Sequence, residues 1–338
     1  MLRMATLLFH TGLIDDRGSI AATSEYIKGL QDEGHTAIWA YDKFHQGNRN
    51  SAILYYSKFF NLEHYVNFNQ YSRSVSKRID WAYFSKKGLN DGFLIPNVKN
   101  AIHVMFNVYQ PHGDTYAYVS KWLADASSRQ ANFFIPMGRS KIPNPFVKRE
   151  WVPFGLDMPP ATNSLRSEWR VPLDARVCIR LGGENTFDIP WVHKTVKKAI
   201  DNHQNFYFIG YNTNKFIDHP RAIFLPSINE KTEKSNALMS ADIFLHARRQ
   251  GESFGMAILE AMRLKIPVLA WEGGWDKNHT KILHRESLYK NEIDLYHKLI
   301  NGISARSVSI SFNNSNLYSI PNVIQIFKDK FGINTLHI

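Results

Sequence analysis

A single cysteine, Cys178, stands in a chain of 338 residues. One thiol closes no intrachain disulfide and builds no thiolate metal cage, which suits a reducing, cytoplasmic setting. No apolar run approaches the roughly 18–20 residues that a membrane-spanning helix needs. The opening run Ala5–Phe9 is too short for a secretory core and reads as a first strand. No two aspartates are separated by one residue, and neither a His-Glu-x-x-His nor a cysteine–histidine zinc spacing occurs. Helix-turn-helix, zinc-finger and RNP-type patterns are missing too, which argues against a basic nucleic-acid-binding protein.

What is present is globular in character, with 44% hydrophobic and 21% charged residues. The formal net charge of +11 favours anionic partners: nucleic acid, phosphorylated small molecules or an acidic membrane surface. Basic residues concentrate at Arg73–Lys87 and Arg139–Arg149, each interrupted by aromatics and, in part, by acids. The length suffices for two ordinary domains.

The order of apolar runs and turn residues predicts α/β alternation, used twice. A strand at 5–9, a loop holding Gly18, a helix from Ile20 to Glu33 and a strand at 36–40 open an open parallel sheet. Trp81–Phe84 and Ile102–Phe106 read as interior strands, and Tyr116–Ser127 as a helix. Proline and glycine then thicken between Pro136 and Pro160, as at an interdomain connection. Beyond it come strands at 177–181, 205–210, 222–225 and 242–246, helices at 191–201 and 233–240, and a last amphipathic helix at 320–331. We therefore expect residues 1–157 and 158–318 to be two Rossmann-like domains facing across a cleft, with 319–338 packing back across their junction.

The richest stretch is Arg248–Gly274, RRQGESFGMAILEAMRLKIPVLAWEGG. Gly255 lies at a strand-to-helix turn, followed by strong helix formers and closed by Pro267. The first turn of a helix has unpaired N–H groups and a dipole that favours anions, and glycine admits a close approach. A phosphate fits against Phe254, Gly255 and Met256. Glu252 precedes that point, and Glu260 lies about 7 Å inside at 1.5 Å per residue. Carboxylates flanking a phosphate site suit hydroxyl donors, so a diphosphate between two polyhydroxylated rings, a nucleotide-sugar, is one ligand that fits. An ordinary amphipathic helix with a solvated glutamate fits the spacing equally.

The stretch resembles the signature of retaining glycosyltransferases of the GT-B fold, family 4 in particular. The resemblance lies in Glu252-Ser253-Phe254-Gly255, Glu260-Ala261-Met262, Pro267-Val268 and Gly273-Gly274. Fainter echoes are Gly18 ahead of Gly34-His35, Tyr118–Trp122, Pro153–Asp157 and Ala241–Leu245. The chain is compact for that family, as a pared-down or virus-encoded member would be. The resemblance implies a hexosyltransferase that is metal-independent, needs no cofactor and takes a UDP- or GDP-sugar as co-substrate. Its acceptor would be a hydroxyl of a glycan, glycolipid or glycoprotein. It implies that Glu252 grips the donor sugar and Glu260 the ribose, with Ser253, Phe254, Gly255 and Met256 around the diphosphate. Arg180 would neutralise the leaving group, Gly18 and Ser19 would meet the same phosphates, and Ser227 and Ile228 the base. Asn107 would take the acceptor-side position where the family often has histidine, with His103 and His112 nearby.

Three departures stand out. Ile179 replaces a glycine before Arg180, Asn185 or Thr186 occupies the place of a phosphate-binding lysine, and Asn107 replaces the histidine. Arg248 or Arg249 is the candidate substitute for the lysine. The same fold also serves sugar-nucleotide epimerases and phosphorylases. In the first domain Trp81–Phe84, Lys86-Lys87 and Phe59-Phe60 suggest core packing, an acceptor groove or a weak membrane-surface contact.

Overall fold

The computed structural model describes residues 4–131 and 150–335, so the basic segment Arg139–Arg149 and part of the proline-rich connection lie outside the described residues. The chain divides into two compact units, Met1–Gly155 with Tyr318–Ile338, and Leu156–Leu317.

The first unit runs β1 (Thr6–Gly12), α1 (Gly18–Asp32), β2 (Thr36–Asp42), α2 (Asn50–Tyr56), β3 (Asn61–Tyr65), α3 (Phe68–Val75), β4 (Trp81–Lys86), β5 (Lys99–Val104), β6 (Thr115–Tyr118) and α4 (Lys121–Ala131). Its six strands form one parallel sheet in the order β3-β2-β1-β4-β5-β6. Leu7, Leu8, Phe9 and Trp81 to Phe84 are fully buried, as strands covered on both faces require. The chain order reverses between β1 and β4, where open α/β sheets leave a crevice at the carboxyl ends of the strands.

The helix expected from Tyr116 is instead a strand followed by a helix. Thr115 to Tyr118 pair with β5, and Tyr118 N–H donates to Glu150 O while Val152 N–H donates to Tyr118 O. Threonine and tyrosine on a half-buried pleat favour this outcome. Ser120 Oγ accepts from Leu123 N–H and so marks the true helix start.

In the second unit the elements are β7 (Arg176–Arg180), α5 (Pro190–Asn202), β8 (Phe206–Tyr211), β9 (Ala222–Leu225), α6 (Lys231–Met239), β10 (Ile243–His246), β11 (Gly251–Glu252), α7 (Met256–Arg263), β12 (Val268–Trp271), β13 (Asp276–Lys277), α8 (His279–Ile282), β14 (Leu288–Tyr289), α9 (Glu292–Asn301) and α10 (Ala305–Ser315). Six of these strands build a second parallel sheet, β14-β12-β10-β7-β8-β9, and β11 pairs with β13 separately. Cys178 is fully buried in its core with Phe208, Ile243 and Leu269, which pushes its thiol pKa far up and makes it inert.

The last helix, α11 (Ile320–Phe331), belongs to the first unit. Phe327 packs against Phe9, Tyr26, Trp81 and Tyr83, and Trp81 Nε1 donates to Phe331 O at 3.1 Å. Gly29 allows α1 to approach closely, since a methyl group there would lie 2.6 Å from Ile324. No helix among the described residues is long and apolar enough to cross a membrane.

Candidate functional site

β10 ends at the carboxyl edge of the second sheet, and the chain turns through Ala247–Gln250 into β11. Gly251 has φ +78°, and a methyl group there would lie 2.1 Å from Asp276 O, so only glycine fits. Glu252 follows, half-buried. Its Oε1 accepts from His246 Nε2 at 2.9 Å and its Oε2 from Arg248 Nη1 at 3.2 Å. Burial alone raises this carboxyl's pKa, but the hydrogen bond from His246 and the positive charge of Arg248 outweigh it, and the net shift is downward. Glu252 is therefore an ionised acceptor at neutral pH.

Gly255 caps α7 in the left-handed conformation, φ 98° and ψ 53°, with no side-chain hydrogen bond to the helix start. The backbone ahead of it is held from behind. Asn278 N–H donates to Glu252 O, Asn278 Nδ2 to Phe254 O at 2.7 Å, and Glu252 N–H to His279 Nδ1. His279 Nε2 donates to Trp271 O at 2.8 Å, and burial lowers the His279 pKa to about 4, so the ring is neutral. Gln250 Nε2 donates to buried Asp276, whose pKa burial raises.

Glu260 lies one turn inside α7, buried, and Lys234 of α6 donates to its Oε1 at 3.0 Å. Glu252 and Glu260 thus each carry a basic partner, Arg248 and Lys234. Arg180, at the end of β7, is 3% exposed. Its Nη1 donates to the carbonyls of Tyr211 and Asn212 and to Thr213 Oγ1, and its Nη2 to Gly183 O and Thr186 Oγ1 at 2.7 Å each. All five acceptors are neutral. Burial lowers the guanidinium pKa to about 10, against the pull of Glu252 and Asp188, and leaves it charged at neutral pH. Arg180 is a fixed positive charge beneath the loops that end β7 and β8.

At the two positions aligned with a phosphate-binding lysine, Thr186 is one of the Arg180 partners, and Asn185 Oδ1 accepts from Asn214. Of its candidate substitutes, Arg248 sits on Glu252 and Gln250, while exposed Arg249 binds Asp188. Ser227 and Ile228 lie in the loop between β9 and α6, Ser227 exposed.

Gly18, Ser19 and Asn107 belong to the first unit. Gly18 and Ser19 form the first turn of α1, which follows the central strand β1 and has no side-chain cap. Asn107 lies beyond β5, where its Oδ1 accepts from buried Ser127 of α4 at 2.7 Å. His103 is a core residue. Tyr83 OH and Val152 O bond its two nitrogens, and burial holds its pKa near 3.

Nothing in the sequence marks Asn278, His279 or Lys234 as site residues. The first two stand in an Asn-His-Thr triplet, which means little without secretion, and Lys234 reads as one more surface charge on a helix.

Residues 178–291 match the model of the family described as Glycosyl transferases group 1. No curated protein matches the chain. Many solved structures share its fold, three of them as follows. A glycosyltransferase from Rickettsia africae is 12% identical, with a TM-score of 0.68 over 99% of this chain and 100% of that one. Anabaena Alr3699/HepE, solved in complex with UDP-glucose, is 14% identical, with a TM-score of 0.70 over 97% and 100%. Sucrose-phosphate synthase from Thermosynechococcus elongatus is 11% identical, with a TM-score of 0.62 over 98% and 100%. At these identities the likeness is one of fold, two Rossmann-like α/β units in the GT-B class. Fold and matched domain together support a GT-B glycosyltransferase.

Proposed function

We propose that the protein is a retaining, metal-independent hexosyltransferase that moves a sugar from a UDP- or GDP-sugar to a carbohydrate, glycolipid or glycoprotein hydroxyl. The observation that carries this reading is the start of α7, with no side-chain cap and a glutamate on each side of it, Glu252 on β11 bonded by His246 and Arg248 and Glu260 one turn in bonded by Lys234. The diphosphate takes the amides at Phe254–Met256. Glu252, fixed by His246 and Arg248, accepts from hydroxyls of the donor sugar, and Glu260 from the ribose. Ser227 and Ile228 present backbone to the base.

As the bond between the sugar and the diphosphate breaks, negative charge grows on the leaving phosphate while the sugar turns cationic. Arg180 and the α7 amides stabilise that charge without reorganising, which is the largest contribution open to a preorganised site. The acceptor oxygen bonds to the same face of the anomeric carbon and its proton passes to the departing phosphate. Basic side chains and helix amides do here what an Asp-x-Asp metal site does elsewhere, and the chain has no such motif.

Titration of UDP, GDP and ADP, followed by transfer assays with their sugars, tests the reading. One nucleotide should bind well above the others, its sugar should be transferred with retention, and saturating EDTA should leave the rate unchanged. Loss of activity in EDTA with recovery in Mn²⁺ rejects metal independence. Interconversion of the nucleotide-sugar without acceptor makes the protein an epimerase instead.

A further inference from the structure

We propose that the first unit has an anion-binding site of its own, at the crevice where β1 and β4 end, built on Lys86 and occupied in the free protein by Asp91. Lys86 closes β4, with only 4% of its side chain exposed. Its ammonium donates to Asp91 Oδ1, Phe93 O and His112 Nε2 and lies 5.0 Å from the centre of the Phe84 ring. The two partners of the ion pair are unequal. A buried ammonium is costly to leave unpaired, whereas the Asp91 side chain is 42% exposed. Asp91 sits on the β4–β5 loop between Gly88 (φ 113°) and Gly92 (φ 74°). It is the half of the pair that water can take back.

A second, independent feature lies beside it. His10 of β1 is 4% exposed, with Nε2 2.7 Å from Tyr65 OH, and its Nδ1 is buried with no partner among the described residues. When Tyr65 donates its O–H to Nε2, the His10 proton resides on Nδ1 as an unused donor. The ring edge between its nitrogens lies 4.0 Å from where a side chain on Gly12 would begin, with no other atom as near. His112 Nδ1 donates to Gln110 O, so its Nε2 is the acceptor from Lys86. Burial holds His10 near pKa 3 and lowers that of His112, and Lys86 is left as the cluster's cation.

A buried cation, an idle donor and a detachable carboxylate at the switch point of the sheet suit a phosphate or carboxylate. On the transferase reading above, such a group would belong to the acceptor, making it an acidic sugar or a lipid phosphate.

Titration calorimetry of wild type, Asp91→Asn and Lys86→Met with inorganic phosphate, glucose 6-phosphate, glucuronate and glucose tests this. Where an internal group fills a site about 90% of the time, its removal raises apparent affinity about tenfold. Asp91→Asn should therefore bind phosphate about tenfold more tightly than wild type, Lys86→Met should lose it, and glucose should not distinguish the variants. Vesicles of phosphatidylcholine with and without phosphatidate form a second arm. Binding that needs phosphatidate and follows the same two residues identifies a lipid headgroup as the source. The proposal is overturned if Asp91→Asn binds phosphate no more tightly than wild type, or if Lys86→Met binds it as wild type does. Should Lys86→Met not fold, the exposed-loop change Asp91→Asn decides alone. UDP titrated into the same variants separates the two readings. Wild type that binds no nucleotide refutes the transferase while leaving the phosphate result intact.

Discussion

Replacing Arg180 with methionine removes a buried charge and five hydrogen bonds at once. Bonds from a charged donor contribute about 1.5–3 kcal/mol each, but three of these share Nη1, and burying a guanidinium costs several kcal/mol. Methionine fills much of the volume and leaves the Asn212 carbonyl without its donor, at about 1–3 kcal/mol if it stays dry, while Gly183 O keeps the Thr186 N–H and hydroxyl. The net expectation is a loss of about 3 kcal/mol, read by urea unfolding of purified protein. The rate should fall about 10²–10³-fold if the buried charge stabilises the leaving phosphate as a preorganised donor does. Arg180→Lys separates the two roles, because an ammonium keeps the charge but reaches fewer acceptors. Its stability should drop nearly as far while its turnover stays at least about tenfold above that of the methionine variant, a gap of about 1.4 kcal/mol. A methionine variant within about 1 kcal/mol of wild type would show that the guanidinium does not hold the loops. Equal turnover in the lysine and methionine variants would show that its charge is idle.

Gly251→Ala should destabilise the second unit by about 2 kcal/mol or more, through a clash with Asp276 O and a strained positive φ, and a lowered melting temperature checks it. His10, His103 and His279 are held neutral, with pKa values lowered to about 3, 3 and 4. A depressed folded-state pKa means the unfolded chain takes up protons first. Stability should therefore be complete above about pH 6.5 and fall steadily as pH drops toward those folded values. Urea midpoints that stay flat between pH 6.5 and 5 would contradict this.

Much of the site was legible because its chemistry is local. Glu252, Gly255 and Glu260 sit within nine residues, and a left-handed glycine before a run of helix formers announces an uncapped helix start. What holds them comes from afar. Asn278 and His279 reach back across more than twenty residues, and Arg180 is tied to backbone carbonyls that any sequence would supply. The α/β alternation was readable wherever apolar runs were long. It failed at Thr115–Tyr118, where tyrosines spaced for a strand were read as the start of a helix, and at β3, whose Asn-Leu-Glu-His-Tyr carries no apolar run. His103 shows the reverse hazard, a residue of catalytic type whose nitrogens are both spent within the core.

The placement of α11 has a consequence for synthesis. Phe327 and Phe331 complete a core that begins with Phe9, yet the 162 residues of the other unit, Leu156–Leu317, are translated between them. The opening strands must wait on the ribosome with Phe9, Trp81 and Tyr83 short of a neighbour, while the later-made unit closes first. A stop codon just before Ile320 should therefore yield a chain whose second half folds and whose first half is degraded.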